Sequence, residues 1–194
     1  MFKRLLIVAF ASVLLAVNHA EGAVILFETI LAPEIPGSSG TGDALVTFDT
    51  VAHTLVVDAT FDNLTGPTTV AHIHCCVDPP GTVGVATFPG TFPGFPAGVT
   101  SGSYVSPTPI DLTDTASYTG GFLTNFGGGT VAGAEAALLA GLLDGRAYLN
   151  IHTMFSPAGE IRGFLQQVPE PTLLTMLGVG FAAAMARRYK RRRV

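Results

Sequence analysis

Positive charge is almost absent from the middle of this 194-residue chain. Between residues 21 and 167 there is no lysine, and the only basic residues are Arg146 and Arg162. Thirteen of the 14 acidic residues lie in the same segment, so it carries a net charge of −11 with neutral histidines, against −4 for the whole chain. Such an acidic surface argues against nucleic acid or anionic lipid as a partner of this segment.

Recognisable catalytic motifs are also missing. The chain contains no Gly-x-Ser-x-Gly elbow, no phosphate-binding glycine loop, no dinucleotide fingerprint and no His-Glu-x-x-His helix. The scattered carboxylates single out no catalytic pair. We therefore expect a protein that is not an enzyme, and we predict no catalytic residues.

Cysteine is scarce. The chain has two cysteines, and they are adjacent, Cys75 and Cys76. Adjacent cysteines cannot link distant parts of a fold. A vicinal disulfide, a pair of thiols and ligands near a metal all remain open.

The N-terminus has the pattern of an export signal. Lys3 and Arg4 precede an apolar run over residues 5–17, and Ala20 and Ala23 are small residues suited to cleavage. We predict a signal peptide over residues 1–22, helical in the precursor.

The C-terminus combines three elements in a fixed order. Val168, Pro169, Glu170 and Pro171 form a stiff segment, an apolar run follows over residues 172–186, and six of residues 187–193 are basic. This order resembles the PEP-CTERM sorting signal of Gram-negative bacteria, here over residues 168–194. The resemblance implies an inner-membrane precursor held by a C-terminal transmembrane helix. It also implies processing by an exosortase and delivery to the cell surface or the exopolysaccharide matrix.

The remaining segment, 23–167, has the pattern of a single β domain. Short alternating or apolar runs bounded by Gly and Pro predict strands. They lie at 23–30, 44–49, 53–61, 69–74, 83–88, 147–152 and 160–165. One helix is predicted from a Thr130 cap to Gly145. We predict a mostly β fold, an antiparallel Greek-key or immunoglobulin-like sandwich or barrel with one short helix.

Histidines supply the one candidate site. The strand period of two places His72 and His74 on one face, and His152 ends another strand. Three imidazoles suit copper or zinc, with His53 as a candidate fourth ligand. The alternatives are buried structural histidines bonded to backbone or to Glu160, or a catalytic site.

The other charged residues near these strands also leave alternatives open. Arg162 either pairs with Glu160 on its own strand or meets a carboxylate on a neighbouring strand. The His-x-His strand resembles that of copper–zinc superoxide dismutases, although the bridging histidine and remaining ligands of those enzymes have no counterparts here.

Three blocks, 71–74, 145–153 and 157–163, resemble the CHRD domain in their residues and their order. The resemblance spans residues 43–165 and implies a β fold in an exported protein. We therefore expect a non-enzymatic binding or structural component of the cell surface or extracellular matrix, with exopolysaccharide or surface proteins as partners. The alternative is a secreted copper or zinc protein built on the three histidines.

Overall fold

The computed structural model of the chain describes residues 24–169, so the predicted signal peptide and membrane segment lie outside it. Within the described part of the chain, no helix is long and apolar enough to cross a membrane. The strands are β1 Val24–Pro33, β2 Thr41–Asp49, β3 Thr54–Asp62, β4 Thr68–Cys75, β5 Gly102–Val105, β6 Ile110–Asp111, β7 Ala147–Thr153, β8 Ile161–Phe164 and β9 Gln166–Gln167. The helices are α1 Gly120–Asn125 and α2 Val131–Leu143, with a 3₁₀ turn at Thr115–Ser117.

The strands form one antiparallel sheet in the order β4-β7-β8-β1-β2-β3-β5. Most of β1 pairs with β2, whereas Ala32 and Pro33 pair with β8, so this strand joins the two halves of the sheet. The sheet curls into a half-barrel. The mostly β, antiparallel prediction is confirmed, but the strands follow one continuous curled path instead of two facing sheets.

The core lies inside the curl, because alternate side chains of each strand point to the same face. In β2 from Ala44 and in β3 from Leu55, every second residue is buried, and Leu138 and Leu142 of α2 belong to the same core. The buried residues of these two strands are Ala44, Val46, Phe48, Leu55, Val57, Ala59 and Phe61.

Helix α2 begins and ends as its sequence predicts. The Thr130 hydroxyl accepts a hydrogen bond from the N–H of Gly133, and Gly145 follows the helix with φ +66°, a conformation that glycine adopts without a steric penalty. Helix α1 was not predicted. It opens with Gly120 and Gly121, which are poor helix formers, and it depends on a Thr119 cap that accepts from Phe122.

The strand predicted at 83–88 is wrong. This stretch makes only isolated bridges, from Val85 to His74 and from Thr87 to Tyr118. Its apolar residues instead pack as a loop along β4, where Ala86 donates its N–H to the Ile73 carbonyl. The loop therefore runs beside the strand that carries two of the candidate histidines.

The C-terminal end of the described chain returns to its beginning. Strand β9 pairs with Phe27 and Glu28 of β1, and the Val168 N–H donates to the Leu26 carbonyl at 2.8 Å. Val168 and Pro169, the first half of the predicted sorting motif, therefore leave the domain beside the point where the chain enters it. Glu170 and Pro171 lie outside the described residues.

Candidate metal centre

The structure brings together the three histidines that the sequence singled out. His72 and His74 lie on β4 and His152 lies on the adjacent β7, where the register pairs Val70 with His152. All three are buried, with 6–7% of their surface exposed. Ala71 and Ile73, which alternate with these two histidines along β4, point into the core, as the strand period requires.

One ring nitrogen of each histidine lies within 4.8 Å of a ring nitrogen of each of the others. Nδ1 of His72 and Nε2 of His152 are 3.3 Å apart. Nε2 of His74 is buried and has no hydrogen-bond partner among the described residues. The three rings therefore turn one nitrogen each toward a common point.

The opposite nitrogen of each ring contacts a backbone carbonyl. His72 Nε2 lies 2.5 Å from the Gly90 oxygen, His74 Nδ1 lies 2.8 Å from Val83, and His152 Nδ1 lies 2.9 Å from Pro157. A carbonyl oxygen only accepts, so these three nitrogens carry the protons. In a neutral ring the other nitrogen then holds a lone pair, and the lone pairs are those of the three converging nitrogens.

Burial keeps two of these rings neutral at physiological pH. It lowers the pKa of His74 from 6.5 to about 4, although the bond to Val83 raises it, and the neighbouring histidines and Arg162 lower it further. Burial also lowers the pKa of His72, against a raising effect of the Gly90 bond. The buried Nε2 atom of His74 is thus an acceptor that no donor satisfies among the described residues, and such an acceptor costs about 1–3 kcal/mol.

An aromatic ring packs against His74, and an arginine packs against that ring. The ring of Tyr148 stacks on His74 with centroids 4.8 Å apart, and the Arg162 guanidinium lies 5.0 Å from the Tyr148 centroid. Arg162 also donates to the Pro80 and Gly81 carbonyls and pairs with Glu34 at 3.2 Å. Glu34 directly follows β1, the neighbour of β8, so the pairing to an adjacent strand is the one that forms.

Two residues considered for the site lie in other environments. The Glu160 carboxylate is fully buried and accepts from Ser38, Thr65, Gly66 and Thr153 at 2.6–3.2 Å. Burial raises the pKa of Glu160, and these hydrogen bonds outweigh it, so the pKa is lowered overall. His53 lies in the turn between β2 and β3 and bonds Glu135 of α2 at 2.8 Å, so it is not a fourth member of the cluster.

The cysteines also point elsewhere. Cys75 and Cys76 form a vicinal disulfide in the structure, and Cys75 is buried on the core side of β4, opposite His74. Both sulfur atoms pack against Gly141 of α2, where any added Cβ would meet them. The disulfide therefore lies between the sheet and the helix, and not in the histidine cluster.

The curled antiparallel sheet defines the described part of the chain as a β domain. The chain belongs to the CHRD domain family, whose pattern matches residues 27–165. The PEP-CTERM protein-sorting motif matches residues 167–193, so the protein is exported, associates with the membrane and is sorted by exosortase to the cell envelope or beyond. No curated protein and no solved structure matches the chain.

Sequence reasoning missed the carbonyls that orient the histidines. Gly90, Val83 and Pro157 act through backbone oxygens, which every residue type supplies, so no sequence signal marks them. Tyr148 was quoted only as part of a motif, although strand period places it on the same face as His152.

Proposed function

We propose that this protein is an exported metal-binding domain that holds zinc or copper at His72, His74 and His152. The observation that carries the proposal is the convergence of three lone-pair nitrogens whose opposite nitrogens are all bonded to backbone carbonyls. Such bonds orient metal-binding imidazoles in known sites. Neutral imidazole suits both metals.

The distances support a tetrahedral ion of zinc size. With Zn–N bonds of about 2.0–2.1 Å, two ligands of a tetrahedral site are about 3.3–3.4 Å apart. The His72 Nδ1 to His152 Nε2 distance of 3.3 Å agrees with this value. The ligand atom of His74 lies within 4.8 Å of those of His72 and His152.

The setting of the proposed site is the cell surface or extracellular matrix of a Gram-negative bacterium, reached after loss of a signal peptide over residues 1–22. We infer a non-enzymatic role there, with exopolysaccharide or surface proteins as partners. The net charge of −11 over residues 21–167 raises the local concentration of cations around the domain.

Metal titration tests the proposal. Full-length protein in detergent, stripped with a chelator, is titrated with Zn²⁺ or Cu²⁺ by calorimetry, and the metal content is measured by mass spectrometry. We expect one tightly bound ion, lost in His72→Ala/His74→Ala and retained in the matched histidine control His53→Asn. Tight binding of one ion by the double variant would refute this site.

A further inference from the structure

A fourth buried acceptor lies next to the three histidines, on Asn150. This residue is 1% exposed, and its Oδ1 has no hydrogen-bond partner among the described residues. Asn150 lies opposite His72 in the β4–β7 register and two residues before His152, on the same face of the sheet. Side chains directly opposite each other on adjacent strands have Cβ atoms about 4.5–5.5 Å apart, so the amide is within reach of the cluster.

The orientation of the Asn150 amide is set by the hydrogen bond of its Nδ2 atom. Nδ2 of Asn150 donates to Glu34 Oε2 at 3.1 Å, and a carboxylate accepts only, so Oδ1 cannot exchange places with Nδ2. Glu34 lies on the β8 and β1 side of β7, away from β4. Oδ1 is therefore the atom of this amide that has no partner among the described residues.

The amide is also packed in place. The Cα of Gly159, at φ +127°, lies so close that a Cβ there would overlap Asn150 and Glu34. The backbone at Gly159 therefore leaves the Asn150 amide little room to move on that side.

The inference rests on the metal site proposed above. Three protein ligands leave one coordination position of a tetrahedral ion for an external ligand. We propose that the Asn150 Oδ1 atom selects that external ligand by accepting a hydrogen bond from it. Ligands that carry a proton on the coordinating atom, such as water or hydroxide, then bind. Azide, cyanide and halides, which would set a lone pair against Oδ1, are disfavoured.

Azide binding to the cobalt-loaded protein tests this selection, because Co²⁺ replaces zinc with a visible spectrum that changes when its fourth ligand changes. Full-length protein in detergent is loaded with Co²⁺ and titrated with azide. We expect Asn150→Leu, which removes the acceptor at similar volume, to bind azide about tenfold more tightly than the wild type. Asn150→Asp keeps an acceptor there and is expected to bind azide no more tightly than the wild type.

The outcomes separate the two proposals. Stoichiometric cobalt binding with equal azide affinity in wild type and Asn150→Leu overturns the role of Asn150 and leaves the metal site intact. A wild-type protein that binds no cobalt, zinc or copper overturns both. Asn150→Ala introduces no new contact and replaces the leucine variant if that variant does not fold; the same gain in azide affinity is expected.

Discussion

Lowering the pH from 7 to 5 should weaken the metal-free fold through His74. The folded-state pKa of this ring lies at about 4, against 6.5 for an unperturbed histidine. Between these values the unfolded chain binds a proton that the folded chain does not, so the free energy of unfolding falls as the pH falls. At 1.36 kcal/mol per pKa unit, His74 alone removes about 2 kcal/mol between pH 7 and pH 5.

The pH interval isolates this effect from the buried carboxylate. The pKa of Glu160 is lowered, so its stabilising contribution is present above the ordinary carboxyl range and is lost only as the pH falls below about 4.5. His72 acts in the same direction as His74, because burial lowers its pKa as well. The metal-free protein should therefore lose stability at a pH above that at which the Glu160 carboxylate is protonated.

Urea unfolding of chelator-treated protein at the two pH values measures this loss. The variant His74→Gln lacks the titrating ring, so its free energy of unfolding should fall by about 2 kcal/mol less than that of the wild type. Equal losses in wild type and variant would refute the claim that burial holds His74 neutral.

Three further results are expected. Zinc at about 1,000 times its dissociation constant should stabilise the fold by about 4 kcal/mol and raise the Tm by about 8–16 °C in differential scanning fluorimetry; an unchanged Tm would contradict the metal site. Glu160→Gln should cost about 1–3 kcal/mol in urea unfolding, because whichever oxygen the amide nitrogen replaces, its N–H donors face the N–H group of Thr65 or of Gly66; a loss under 1 kcal/mol would contradict this. Gly141→Ala should cost about 1–3 kcal/mol of thermal stability, since its Cβ meets both sulfur atoms, whereas the control Gly84→Ala meets nothing within 4 Å and should be close to neutral.

The local pattern of the sequence predicted which histidines share a face, because the strand period depends only on chain position. It also predicted both ends of α2, because Thr130 and Gly145 act on the backbone next to them. These features are decided by interactions within a few residues.

Contacts that depend on the register between strands could not be predicted from the sequence. The partner of Arg162 is Glu34, 128 positions earlier, and only the pairing of β1 with β8 brings them together. The stretch at 83–88 lies along the edge of β4 that β7 does not occupy, but it forms only one bridge to β4, between Val85 and His74. The curl of the sheet follows from β1 pairing with different strands along its length, which no local pattern records.

The return of β9 to the start of β1 also decides how the domain responds to mechanical load. Strands β1 and β9 are antiparallel, so the chain enters at Val24 and leaves at Pro169 at the same end of this pair. Tension applied between the two ends therefore breaks the hydrogen bonds between β1 and β9 one after another, starting from that end. Strands β4 and β7 lie beyond β8 in the sheet and carry none of this first load. A tail drawn toward a processing enzyme can therefore be extended by several residues while the three histidines keep their positions.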